Sequence, residues 1–371
     1  MTPRRSTGAL AAVALLGLGA AAADEAHTGF FPHAIAVADL DGDGVPDVIV
    51  PASAERKVTV LLSDGRGGFR ETRAYPAGKG PTWVTVAPLN RDRHLDFVTT
   101  DTGGHGLSVY FGDGRGGFTA GAPIKDVHGP VSVVAADFDR NGLTDLAVAQ
   151  AGESRIAVFA NRGGTFEATH RYPVNRGPHI AAGHDVNGDG ITDVIVGTLG
   201  AHTLDVLVAR GDGSFVNGGA IPVGRFPHYM AFPDWNGDGR PDLAVVVAGE
   251  DGVDLLAADG KAGFARKSRL PAGVNPHGIT MADLNGDTIM DLVVANRSSG
   301  DLTIFLGTGQ GYGAGRRVQI GHDIIALAAA DFDRDGRSDL ALVSASHHTL
   351  VLLRGDGAGG FSLMFPLPSR E

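Results

Sequence analysis

A nine-residue acidic phrase returns seven times along the chain at intervals of 48 or 49 residues, and this period constrains the fold more than any other feature. The first copy runs from Asp39 through Asp41, Asp43 and Gly44 to Asp47, and the frame restarts at Pro88, Asp137, Asp185, Asp234, Asp283 and Asp331. A long fixed period means one supersecondary unit, copied and stacked.

Each copy has the same internal order. A short apolar segment (Ile35 to Ala38, Val131 to Ala136) leads into the acidic loop, and a β-branched run follows it (Asp47-Val-Ile-Val, Asp193-Val-Ile-Val). A polar loop, a second apolar run such as Val58 to Leu62, and a Gly-rich turn ending in an aromatic (Asp64 to Phe69, Asp113 to Phe118, Asp356 to Phe361) complete the unit. Runs of four to eight residues bounded by Gly, Asp and Pro predict strands, and no helical period stands out. Four strands in each of seven units predict an all-β, seven-bladed β-propeller of four-stranded antiparallel blades, with the acidic loops between strands one and two. The last blade takes its outer strand either from Asp24–Phe31 or from Phe361–Leu367.

Residues 1–23 have the pattern of a signal peptide. Arg4 and Arg5 precede an apolar run from Leu10 to Ala20, and Ala21-Ala22-Ala23 suits a small-residue cleavage site before Asp24. The propeller then occupies 24–371, and the protein is expected to be secreted or periplasmic, a monomer without a membrane span. There is no cysteine, which excludes disulfides, thiol catalysis and thiolate metal sites, so an exported chain needs other staples. The net charge is −11; loss of Arg4 and Arg5 leaves 29 basic against 42 acidic residues, or −13, which argues against nucleic-acid binding.

Oxygen-bearing side chains at positions 1, 3, 5 and 9, with Gly at 6, suit a hard cation. Six loops keep this set: Asp39, Asp41, Asp43, Asp47; Asp137, Asp139, Asn141, Asp145; Asp185, Asn187, Asp189, Asp193; Asp234, Asn236, Asp238, Asp242; Asp283, Asn285, Asp287, Asp291; and Asp331, Asp333, Asp335, Asp339. An EF-hand is excluded, because position 12 is Val or Leu on a strand, as at Val50 and Leu342. Asp-Gly pairs alone could make hairpin turns, but turns do not require the carboxylate at position 9. We therefore expect about six Ca²⁺ ions, whose charge would offset most of the acidity. The copy at 88–96 is degenerate, with Pro88 at position 1 and Arg93 in place of Gly, while copy six carries Thr288 at the Gly position.

These phrases, turns and period resemble the FG-GAP or VCBS repeat family over residues 30 to 366, whose propeller is similar to the N-terminal head of integrin α subunits. The resemblance implies the propeller and Ca²⁺ in the loops. It leaves the function open, since the family includes adhesins, lectin-like binders and lyases.

Strand direction places the acidic loops and Gly-aromatic turns on one end of such a propeller and the remaining connectors on the other. Six residues before each acidic loop stand His33, Thr82, Val131, His179, His228, His277 and Ile325, and nine residues before stand Phe30, Lys79, His128, Arg176, Arg225, Val274 and His322. His105, His202, His347 and His348 fall on the same end. Three readings follow. The imidazoles could simply hydrogen-bond the next blade, in a protein that serves as a structural scaffold. The mouth could instead bind a glycan or protein ligand, including an anionic one, with Trp83 and Tyr229 as stacking surfaces beside His33, His179, His228 and His277. Or it could be an enzyme, either a polysaccharide lyase with a base among His179, His228 and His277 and with Arg176 or Arg225 neutralising a carboxylate, or a site for a second, transition metal on the histidine ring. No nucleophile elbow or phosphate loop is present.

Overall fold

The computed structural model describes residues 26–28, 33–321 and 323–364. The proposed leader at 1–23, Phe30 and His322 lie outside the described residues. Strands pair into seven antiparallel sheets, one for each sequence copy. Blade 3 shows the pattern: Pro130–Ala136 lines the axis, followed outward by Asp145–Gln150, Arg155–Asn161 and Phe166–Pro173.

Burial explains why the second strands read as unbroken apolar runs. In every blade each residue of this strand is buried, as in Asp47–Ala52 and Asp291–Asn296, because neighbouring blades cover both of its faces. The fourth strands, such as Phe166–Pro173, are largely exposed at the rim and correspondingly polar. The hydrophobic core is divided among seven inter-blade clusters. One packs Leu40, Ile49 and Val60 of blade 1 against Phe97 and Tyr110 of blade 2, and another packs Val48, Val50 and Leu61 against Ile325, Phe332 and Val343 of blade 7. The second of these closes the ring.

Closure uses both of the strands that the sequence offered as alternatives. Phe361–Leu363 pairs with the Leu353–Gly355 end of the third strand of blade 7, and Ala26–His27 pairs with its Thr349–Leu350 end. Thr28 extends the seam: its N–H and Oγ1 donate to the His348 carbonyl at 3.1 Å each, and its own carbonyl accepts from Thr59 Oγ1 at 2.9 Å. Blade 2 likewise splits its outer edge into Phe118–Ala120 and Ile124–Lys125.

The acidic loops and Gly-rich turns share one end of the ring, as expected. They are stitched across blades: Gly116 N–H donates to the Leu40 carbonyl, Gly213 to Phe138, and Gly67 to Phe332. Among the described residues no helix is long and apolar enough to cross a membrane.

Candidate functional site

At the acidic end, side chains order each loop around position 1. Asp39 Oδ1 accepts from the N–H groups of Gly42 and Asp43, and Oδ2 accepts from Gly44 at 2.9 Å. The same bond from position 6 recurs at Gly142, Gly190, Gly239, Thr288 and Gly336, at 2.8–2.9 Å. Position 6 lies at positive φ throughout, including Arg93 and Thr288 at φ 69°. A β-branched residue is strained there by roughly 1–2 kcal/mol. Replacing Thr288 with Gly is expected to raise stability by about 1 kcal/mol, measured by urea unfolding; an unchanged or lower midpoint would contradict this account of the loop.

Position 9 has a task that the sequence argument missed. Asp47 Oδ2 accepts from Leu40 N–H at 2.9 Å, and Oδ1 accepts from Ser63 N–H at 2.8 Å, so one buried carboxylate ties the loop to the exit of strand three. Asp145, Asp193, Asp291 and Asp339 repeat both bonds. So does Asp96 of the degenerate copy, which accepts from Leu89, Asn90 and Gly112. This carboxylate is therefore required by the blade whether or not an ion is bound. Its burial pushes the pKa upward in each copy, to about 6 for Asp47 and Asp339.

Several features fit a cation at these loops. Oxygens of Asp39, Asp41 and Asp43 lie within 4.8 Å of one another, as do those of Asp137, Asp139 and Asp145, and of Asp331, Asp333 and Asp339. The Arg70 guanidinium sits against Asp41, and that of Arg354 against Asp333, each a positive charge beside the position-3 carboxylate. In blade 5, Asp242 Oδ2 is buried and leans toward the Asn236 backbone without reaching hydrogen-bond geometry.

The opposite end gathers histidines from three adjacent blades. His179, His228 and His277 each follow the proline that opens an inner strand: Pro178–His184, Pro227–Ala231 and Pro276–Ala282. That shared register brings the ring centroids of His228 and His277 to 4.2 Å, His179 and His228 to 4.9 Å, and His179 and His277 to 6.3 Å. The His277 Nδ1–H donates to the Ile325 carbonyl of the next blade at 2.9 Å, whereas His228 Nδ1 is buried without a hydrogen-bond partner. Tyr229 reaches across the axis, 5.6 Å from Trp83 and 5.9 Å from His277, with its hydroxyl donating to the His33 carbonyl at 3.4 Å. Sequence reasoning placed these residues at one mouth, and the structure brings them into contact.

Burial lowers the pKa of all four histidines at the mouth. His228 falls to about 2, helped by His277, His179 and Arg297, and His277 falls to about 4; His179 and His33 move the same way. The folded-state values lie below the unfolded value of about 6.5, so their contribution to stability is complete above that pH and is lost as pH falls. Asp47 and Asp339 act in the opposite sense in ion-free protein, since protonation below about 6 relieves their burial. Comparing wild type with a His228→Gln/His277→Gln variant cancels the aspartates. The wild type should lose stability more steeply between about pH 6.5 and pH 4. Parallel pH profiles of the melting temperature would refute the assignment.

Other members of the expected face are structural. The residue before strand three lies at positive φ in every blade: Arg56, His105, Ser154, His202, Asp251, Gly300 and His348. His and Asp tolerate this region better than most residues, and they reach the next blade. His105 Nδ1 accepts from Gly129 N–H, His202 Nδ1 from Phe226 N–H, and Asp251 Oδ1 from Asn275 N–H. The outer basic ring is also weaker than its sequence suggests. Lys79, His128, Arg176 and Arg225 are exposed, but Arg225 donates to the Gly249 carbonyl and faces Glu250. The cation that acts on the histidines is Arg297, missed because only histidines were counted in the loops between strands two and three.

A family model described as an FG-GAP-like repeat matches residues 39–99, 89–148, 185–245, 234–294 and 283–342. No curated protein matches the chain. Among solved structures it is similar to BBS1N, crystallised in complex with ARL6DN, at 12% identity over 91% of this chain and 96% of that chain, with a TM-score of 0.66. A protein from Lactobacillus plantarum aligns at 15% identity over 89% and 94%, with a TM-score of 0.62. A functionally unknown protein from Desulfotomaculum acetoxidans DSM 771 aligns at 12% over 86% and 98%, also with a TM-score of 0.62. At these identities the likeness is one of fold.

Proposed function

The chain belongs to the FG-GAP-like repeat family, and from that premise we propose that it is an exported, Ca²⁺-stapled propeller that binds a glycan or protein ligand through its histidine-rich mouth. The observation that carries this reading is the meeting of His179, His228, His277, Tyr229 and Trp83 on one end of the ring, away from the acidic loops. Aromatic rings beside imidazoles, with Arg297 nearby, offer stacking, hydrogen bonding and a positive charge to an anionic sugar or side chain. A likeness of fold to BBS1N, a propeller found with a protein partner, is compatible with a protein ligand, by analogy only.

Ca²⁺ would be held by the six sets from Asp39–Asp47 to Asp331–Asp339, and it would supply charge neutralisation at the loop tips. Export follows from the leader pattern at 1–23, with a mature N-terminus at Asp24. The test is binding of polygalacturonate and of a neutral oligosaccharide to the full mature chain in Ca²⁺, beside His33→Ala and Arg297→Glu variants. The wild type should prefer the acidic glycan, and the variants should bind it at least about tenfold more weakly. A ligand found by any screen that binds both variants as tightly as wild type places recognition elsewhere.

A further inference from the structure

We propose that His179, His228 and His277 form a mononuclear site for a late first-row divalent metal, Zn²⁺ or Cu²⁺, with one coordination position left open at the axial mouth. One ring nitrogen from each lies within 4.8 Å of the others. Tetrahedral coordination at 2.0–2.1 Å needs nitrogens about 3.3 Å apart, a contraction that side-chain rotation can supply. Three imidazoles with no carboxylate among them suit Zn²⁺ or Cu²⁺ and do not suit Ca²⁺.

Two details favour a ligand set over a hydrogen-bonded ring. A carbonyl only accepts, so the bond to Ile325 makes Nδ1 of His277 the protonated nitrogen and leaves Nε2 with its lone pair. That outer contact is the usual support of a metal-binding histidine. His228 Nδ1 is buried and unpartnered, a costly state in either tautomer that metal binding around the ring would relieve. Nor does the blade itself demand histidine at this register. Thr82, Val131 and Ile325 occupy it in blades 2, 3 and 7, where the inner strands form as well. Burial favours the neutral form of all three rings, the form that ligates, and Arg297 adds to it at His228 and His277. Three protein ligands leave a fourth place for water or an anion.

The proposal stands on the three imidazoles and is independent of the loop cations and of the glycan. Its test uses the full mature chain saturated with Ca²⁺ and titrated with Zn²⁺ alone by calorimetry, then with Co²⁺ as a spectroscopic probe. We expect one Zn²⁺ per chain and tetrahedral Co²⁺ bands, with affinity at least about 100-fold lower in His228→Gln and in His179→Gln. Each variant must unfold in one cooperative transition in Ca²⁺ to count. His105→Gln, which breaks the other close pair (His105 and His128, 5.4 Å), should bind Zn²⁺ normally. X-ray absorption of the Zn²⁺-loaded wild type decides the matter without any variant, and three imidazole nitrogens are expected. Absence of tight Zn²⁺ binding, equal binding by folded His228→Gln or His179→Gln, or fewer than three imidazoles around the metal overturns the assignment.

Discussion

Removing Ca²⁺ with a chelator is expected to lower the melting temperature of the mature chain by about 8–16 °C. An ion present at about 100 times its dissociation constant adds about 2.7 kcal/mol per site to the folded state. Three occupied sites out of six would contribute about 8 kcal/mol, and in a domain of this size each kcal/mol moves the midpoint by roughly 1–2 °C. The loops show what would weaken an ion-free state. Asp39, Asp41 and Asp43 crowd their carboxylates together, and the upward pKa shifts of Asp47 and Asp339 mark charge held against its solvation preference. A dication reverses that preference. Calorimetric scans with Ca²⁺, with chelator, and with chelator plus Mg²⁺ provide the check. Superimposable scans with and without Ca²⁺ would sink the staple.

Asp96→Ala should destabilise the protein by at least about 3 kcal/mol, and by the same amount with or without Ca²⁺. The substitution strips acceptors from three backbone donors, Leu89 and Gly112 in a buried setting and Asn90 in a half-buried one. Each donor left without a partner costs about 1–3 kcal/mol. Blade 2 lacks the first loop ligand, so ion binding does not enter. Asp47→Ala removes the same kind of tie and a proposed ligand as well, so its loss should be larger in Ca²⁺ than in chelator. Urea unfolding of both variants in both conditions separates tie from ligand. A neutral Asp96→Ala would show that the bonds at position 9 are incidental, and equal losses for Asp47→Ala in both conditions would remove it from the ligand set.

The repeat made the ring legible from sequence, because the period fixes blade number and the Pro, Asp and Gly markers fix strand ends to within a residue or two. The histidine trio was legible for the same reason, since equal register around a ring means proximity at the axis. What stayed hidden depends on distances across the ring or between blades. Tyr229 meeting Trp83 joins blade 5 to blade 2, which no local pattern encodes. The two hydrogen bonds accepted by every position-9 aspartate except Asp242 link it to residues 7 and 16 away, and the acidic pattern alone suggested only a ligand. His105 and His202 could have been recognised, because they share a column with Asp251 and Gly300, the mark of a left-handed tip. Counting them by residue type rather than by column made them look functional.

The outer edge of blade 7 is completed by Ala26–His27 from one side and Phe361–Leu363 from the other. The two segments that lock the wheel thus flank the repeat array on its two sides. Blades 1 to 6 can collapse pairwise during synthesis through adjacent copies, but the final seam joins residues more than 300 positions apart and waits until all seven copies are made. Until then the bare flanks of blades 1 and 7 face water, which makes late closure the stage at which the chain most needs shelter from its neighbours.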